Sequence, residues 1–231
     1  MKLFQRLNKF NFSSISESPL QRQLLVNKNK NAVRFENQNK TWTYQEIETH
    51  SNAFAYGLTE LGWKQGDKLL LWVEKNHTSE IVCAQLGAAK TGVVLIPLYA
   101  QNEQELESAI NESNANGILL SPNSKGQQDK KYIDIINSVI PELQRTSNGG
   151  ALKSRFSQLR HVFHTGFYTF QGTFKYRQLL VYASKNFNTL SLPKVDLNAT
   201  LFLSNNKSYN LKELISQSEG ANKESNLSEK N

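Results

Sequence analysis

From Lys68 onward the chain alternates short, apolar runs with longer stretches of helical periodicity, and few folds accommodate that pattern. The runs are Lys68 to Val73, Val93 to Leu98, Gly117 to Ser121 and Arg160 to His164. Runs this short and this apolar read as strands buried on both faces. Between them, Thr78 to Lys90, Glu103 to Asn114 and Asp129 to Val139 read as helices, the last stopped by Pro141. Strands joined by helices are the βαβ units of a parallel sheet with right-handed crossovers. The expected fold is α/β: a partial doubly wound, largely parallel sheet with helices on both faces.

Local signals set the boundaries. Thr43-Tyr44-Gln45-Glu46 has capping-box spacing, so a helix begins there. Ile47, Phe54, Leu58 and Leu61 give it an apolar stripe, and Gly62 ends it. Gly66-Asp67 supplies a turn before the first buried run. Ala84, Gly87, Ala88 and Ala89 make the next helix small enough to approach a sheet closely, and Gly92 breaks it. Leu143 to Phe156, with Gly149-Gly150, reads as a polar surface loop, and Tyr176 to Ala183 as one further helix.

The two ends differ from this middle. Residues 1–16 carry Lys2, Arg6 and Lys9 with no acidic residue, and Ser13, Ser14 and Ser16 close the segment. Leu3, Leu7 and Phe10 form a second row at helical spacing, which gives separate basic and apolar faces. This composition predicts a mitochondrial transit peptide or a basic arm. Residues 17–200 read as the α/β domain and 201–231 as an extension, polar and disordered from Ser216.

Composition narrows the partners. The formal charge is +7, but the basic residues are scattered, which gives no footprint for nucleic acid. The longest apolar runs fall far short of the ~18 residues of a membrane span, so any membrane contact is peripheral. A single cysteine, Cys83, excludes an internal disulfide and reads as a small core residue.

The stretch TWTYQEIETHSNAFAYGLTELGWKQGDKLLLWVEKN, followed by EIVCAQLGAAKTGVVLIPL and NANGILLSP, resembles the N-terminal subdomain of the AMP-forming acyl-CoA synthetases. Four pieces occur in that family's order: Trp42 to Glu46, Gly62 to Asp67, Asn76 to Glu80, and Gly87 to Leu98. HVFHTGFYTF resembles, less distinctly, the family's strand and loop leading toward the active site. The resemblance implies a Ser/Thr/Gly-rich loop with a lysine, of the form T-S-G-T-T-G-x-P-K-G, to neutralise triphosphate charge. At the corresponding distance stands Leu203-Ser204-Asn205-Asn206-Lys207-Ser208-Tyr209-Asn210, which has a lysine but no glycine and reads as a surface loop. The family's later elements, including its mobile C-terminal domain, fall beyond Asn231.

These observations lead to the expectation of a chain that is not itself an enzyme, with no catalytic residue, cofactor or metal site. His161 and His164 lie three apart in a strand, which sends them to opposite faces and spoils a shared metal site; both read as satisfied structural histidines. Tyr168, Phe170, Phe174, Lys175, Tyr176 and Arg177 form an aromatic, basic stretch suited to core packing or to gripping a partner. The expected role is an accessory subunit of a large mitochondrial assembly, an inner-membrane respiratory complex or the ATP synthase, on the matrix side or associated with that membrane. Its partners are then other protein subunits. The alternatives are an acyl-CoA-binding regulatory module and one half of a split adenylate-forming ligase.

Overall fold

The computed structural model describes residues 26–74, 76–122, 131–182, 200–204 and 207–210. The basic N-terminal segment and the polar tail from Ser216 lie outside the described residues. The first two strands among the described residues form a hairpin that the periodicity does not announce. Strand β1 (Asn31–Phe35) pairs antiparallel with β2 (Lys40–Thr43) around a 3-10 turn at Glu36–Gln38, closed by Asn39 at φ 44°.

Helix α1 (Tyr44–Glu60) starts at the expected box. The Glu46 amide donates to Thr43 Oγ1 at 3.2 Å, and the Thr43 amide donates to the Glu46 carboxylate at 2.7 Å. There follow β3 (Lys68–Trp72), α2 (Thr78–Thr91), β4 (Val94–Pro97), α3 (Glu103–Ser113), β5 (Gly117–Leu120), α4 (Lys131–Val139) and β6 (His161–His164). Each matches its expected element to within a residue or two over the described residues. Gly92 takes φ +73°, the left-handed conformation that ends α2.

Apart from the β1–β2 pair, which is a sheet of its own, the described strands form one sheet in the order β7-β6-β5-β3-β4-β8-β9, with β7 at Phe174–Lys175, β8 at Thr200–Ser204 and β9 at Lys207–Asn210. All neighbours are parallel except β8 and β9. The chain runs from β3 out to β4, then returns to the other side of β3 with β5. The order therefore reverses between β3 and β5, where sheets of this kind open a crevice at the carboxyl ends of the strands.

Alternation along the strands divides the core in two. Leu70, Trp72, Ile118, Leu120 and Val162 point to the face covered by α3 and α4, through Leu106, Ile110, Ile136 and Val139. Leu69, Leu71, Leu95, Leu119 and Phe163 point to the face covered by α1 and α2, through Phe54, Leu58, Ala84 and Ala88. The small residues of α2 serve helix contact as well as sheet contact: a Cβ on Gly87 would meet Phe54 and the Ser51 carbonyl of α1 below 3.0 Å.

Three expectations are corrected. The supposed polar surface loop is partly core: Pro141–Arg145 forms a 3-10 turn, and Leu143, Leu152 and Phe156 are buried. The helix after β7 is a single turn, α5 (Tyr176–Leu179). It is held against α1 so closely that a Cβ on Gly57 would lie 1.7 Å from the Leu179 carbonyl oxygen. The stretch read as a loop at Leu203 to Asn210 is a hairpin, with Ser204 opposite Lys207.

Candidate functional site at the carboxyl ends of the strands

His164 is the last residue of β6, and the register with Leu120 and Trp72 places it on the face of α3 and α4. It is 0% exposed, and neither ring nitrogen has a hydrogen-bond partner. The expectation of a satisfied structural histidine therefore fails here. The edge of Phe170 packs on the ring at 4.9 Å between centroids and 77° between planes. Only a glycine fits two residues on, since a Cβ at Gly166 would lie 2.4 Å from Pro122 Cγ and 3.2 Å from His164 Nδ1.

Across the sheet, the register partner of His164 is Lys175 of β7. Lys175 is half-buried and forms no ion pair among the described residues. Burial, reinforced by the Lys175 charge, pushes the His164 imidazole down to about 4, so the ring is neutral at ordinary pH. Thr165 follows, its hydroxyl buried and likewise unpartnered.

Beside them lies the reversal point. The Glu74 amide donates to Ser121 Oγ at 2.8 Å, tying the end of β3 to the end of β5. Tyr132 packs on Trp72 with 4.3 Å between ring centroids and 49° between planes; burial first, then the nearby Glu74 carboxylate, hold its hydroxyl in the protonated form. Three aromatics stand out into solvent: Tyr99 after β4 is 78% exposed, and Phe167 and Tyr168 after β6 are 79% and 74% exposed.

The opposite rim is knitted together. Trp63 Nε1 donates to His161 Nδ1 at 3.2 Å, and burial drives that imidazole down to about 4 as well, which keeps it an acceptor. Arg160 pairs with Asp67, whose carboxylate also accepts from the Lys64 amide at 2.8 Å. Asn116 Oδ1 accepts from the Lys68 amide at 2.8 Å. His161 and His164 do face opposite ways, and among the described residues no group of three His, Cys, Asp or Glu converges on a metal position.

Two buried groups elsewhere are structural. Lys90 donates to Glu48 at 2.7 Å, to Ser51 Oγ at 2.8 Å and to Asn52 Oδ1 at 2.7 Å, locking α2 to α1. Burial lowers its pKa against the opposing pull of Glu48. Cys83 donates to the His50 carbonyl, and burial pushes the thiol up to about 12, which leaves it inert as a nucleophile.

The aromatic, basic stretch is divided by the fold. Tyr168 and Arg177 are exposed, Phe170 and Phe174 are half-buried against the two cores, and Tyr176 is buried against Phe54 at 5.9 Å. Lys175 faces His164. Exposed Phe167 is the residue the sequence reading omitted, and its only signal is its place between Gly166 and Tyr168.

Residues 20–163 match the family model described as AMP-binding enzyme. The chain belongs to this AMP-binding enzyme family. It is 28% identical over 138 residues to the putative acyl-CoA synthetase YngI of Bacillus subtilis, covering 59% of this chain and 24% of that protein. It is 32% identical over 123 residues to the medium-chain acyl-CoA ligase ACSF2, mitochondrial, of Danio rerio, covering 53% of this chain and 19% of that one. The chain thus spans about a fifth to a quarter of these AMP-binding relatives. Its fold is that of a putative long-chain-fatty-acid CoA ligase from Rhodopseudomonas palustris, with TM-score 0.59 at 15% identity over 79% of this chain and 39% of that one. An anthranilate CoA ligase, AuaEII, gives TM-score 0.59 at 17% identity, over 80% of this chain and 30% of that one.

The expectation of a chain that is no enzyme is corrected by this membership. The AMP-binding relatives are acyl-CoA ligases, and a chain covering 24% and 19% of their lengths gives no ground for denying catalysis from the position of its last residue. In the β8–β9 hairpin the described backbone pairs in the register Thr200–Asn210, Phe202–Tyr209, Leu203–Ser208 and Ser204–Lys207.

Proposed function

We propose that this chain is the N-terminal scaffold of a mitochondrial acyl-CoA ligase, acting with the remainder of a ligase sequence, on the same polypeptide or another. The observation that carries the reading is the AMP-binding match over residues 20–163 on a parallel sheet whose carboxyl rim is polar and aromatic. In that role the sheet forms one wall of the reaction cleft. The complementary part supplies the phosphate-binding loop, since Leu203 to Asn210 carries a lysine but no glycine. The ligase joins a carboxylate to the α-phosphate of ATP, giving acyl-AMP and releasing pyrophosphate, and the CoA thiol then displaces AMP to give acyl-CoA. Medium-chain acids and a mitochondrial location are supported by the relatives named mitochondrial medium-chain acyl-CoA ligases.

The test is native electrophoresis of gently solubilised mitochondria, with mass spectrometry of the band and a coupled assay on octanoate, ATP and CoA. Co-migration with ligase sequence beyond residue 231, together with octanoyl-CoA and AMP formation, is expected. A band with no such sequence and no activity overturns the reading.

One observation favours a second reading. Tyr99, Phe167 and Tyr168 are large aromatics left in solvent, the composition of a protein interface. On this reading the chain is an accessory subunit of a larger mitochondrial assembly, a respiratory inner-membrane complex or the ATP synthase. Migration at the size of such a complex supports it over the first.

A further inference from the structure

The dipeptide Asn-Gly occurs at Asn116-Gly117 and at Asn148-Gly149, and the fold treats the two in opposite ways. A glycine after an asparagine carries no side chain to screen its backbone nitrogen, so that nitrogen can approach the asparagine Cγ. Asn148 and Gly149 are both exposed, in a turn closed by the Gly150 amide donating to the Ser147 carbonyl at 2.9 Å. Gly149 takes φ +79°, and its own amide donates no hydrogen bond among the described residues. The Gly172 amide donates to Asn148 Oδ1 at 3.0 Å. We propose that Asn148 is a self-modification site, converted by the Gly149 nitrogen through a succinimide to aspartate and isoaspartate, and that Asn116 is spared.

The Gly149 nitrogen gives its proton to hydroxide and bonds to Asn148 Cγ; the Cγ–Nδ2 bond then breaks and ammonia leaves. Water opens the ring at Cγ to give aspartate, or at the backbone carbonyl to give isoaspartate, whose main chain runs through the side-chain carbons. Negative charge gathers on Oδ1 as the nitrogen adds, and Oδ1 is the atom that the Gly172 amide holds. Asn116 is fixed where Asn148 is free. Its amide donates to the Lys68 carbonyl and its carbonyl accepts from the Arg160 amide, both at 2.8 Å. Gly117 begins β5, paired with β3 and β6, and a Cβ there would lie 2.7 Å from the Trp63 ring. Ring closure at Asn116 must therefore first open the sheet. The products differ in what they keep. Aspartate retains an acceptor for Gly172, whereas isoaspartate lengthens the backbone of a turn that rests on Gly172 and Phe174. None of this depends on the ligase reading.

The experiment incubates the full chain at mildly alkaline pH, natively and in urea, and follows both peptides by mass spectrometry with fragmentation that separates aspartate from isoaspartate. In the native chain Asn148 is expected to convert at least about tenfold faster than Asn116, and in urea both convert. Asn148→Gln should abolish the native reaction at that position. The purified isoaspartyl chain should melt below Asn148→Asp. An Asn148 that stays intact natively but converts in urea overturns the site. Equal native rates at the two positions overturn the selection by the fold, and equal melting of the two products overturns the loss of the Gly172 contact.

Discussion

The two rims of the sheet, built from the same strands, treat their polar groups in opposite ways. At the amino ends, His161 accepts from Trp63, Asp67 gathers Arg160 and the Lys64 amide, and Asn116 caps Lys68. At the carboxyl ends of β5 and β6, three positions away on the same strand, His164 is buried with nothing to bond, Thr165 is likewise unpaired, and aromatics face water. One rim spends its polar groups on stability, with Arg160 Nε alone of those named here left unpaired. The other leaves the His164 ring nitrogens and the Thr165 hydroxyl buried and unpaired.

Acid should break the contrast most visibly, because it strikes both rims. Burial holds His161 and His164 at about 4 in the folded chain, below the ordinary 6.5. The unfolded chain therefore binds protons first, so stability is complete above about pH 6.5 and falls as pH drops toward 4. The loss is on the order of 2 kcal/mol for each ring after an allowance for screening at the rim. Urea titrations at pH 7 and pH 4.5 measure it, and equal midpoints would refute it.

His161→Phe should cost about 1–3 kcal/mol, because it leaves the Trp63 N–H buried without an acceptor. His164→Phe takes away two unsatisfied nitrogens and should leave stability unchanged or raised by about 1 kcal/mol without ligand. The same variant should remove part of the acid sensitivity. If both substitutions destabilise equally, the two rims are alike and the comparison fails. Smallest is the double change Phe167→Ser with Tyr168→Ser, which should shift the unfolding free energy by no more than about 0.5 kcal/mol, since both rings are 79% and 74% exposed.

The central elements were legible because local and global signals agree in them. Thr43 and Glu46 announce α1, Gly92 ends α2, and apolar runs with no polar alternate require burial on both faces. The β1–β2 hairpin was hidden because its turn rests on Asn39 in a left-handed conformation, with no glycine to mark it. The β8–β9 hairpin was hidden for a similar reason: Ser, Asn and Lys read as loop, and only pairing with β4 makes a strand of Thr200–Ser204. Part of the site was visible, since His164 and Lys175 both drew notice. Their relation was not, because it depends on β7, a strand of two residues whose register no periodicity reveals. Nor does a sequence disclose that a histidine lacks partners. The buried Lys90 was unread because its three acceptors all lie on a helix far earlier in the chain.

The contact between Gly57 and the Leu179 carbonyl has a consequence in time. Helix α1 is made early, yet the backbone that seals it, through Leu179 and the Val181 amide bonded to the Ala53 carbonyl, is made more than a hundred residues later. Until then the Gly57 side of α1 lacks its cover, although Phe54 already packs on Gly87 and Lys90 already ties α2 to α1. A nascent chain interrupted before Leu179 should be more protease-sensitive around Ala53 and Gly57, and one released just beyond Val181 should gain protection there.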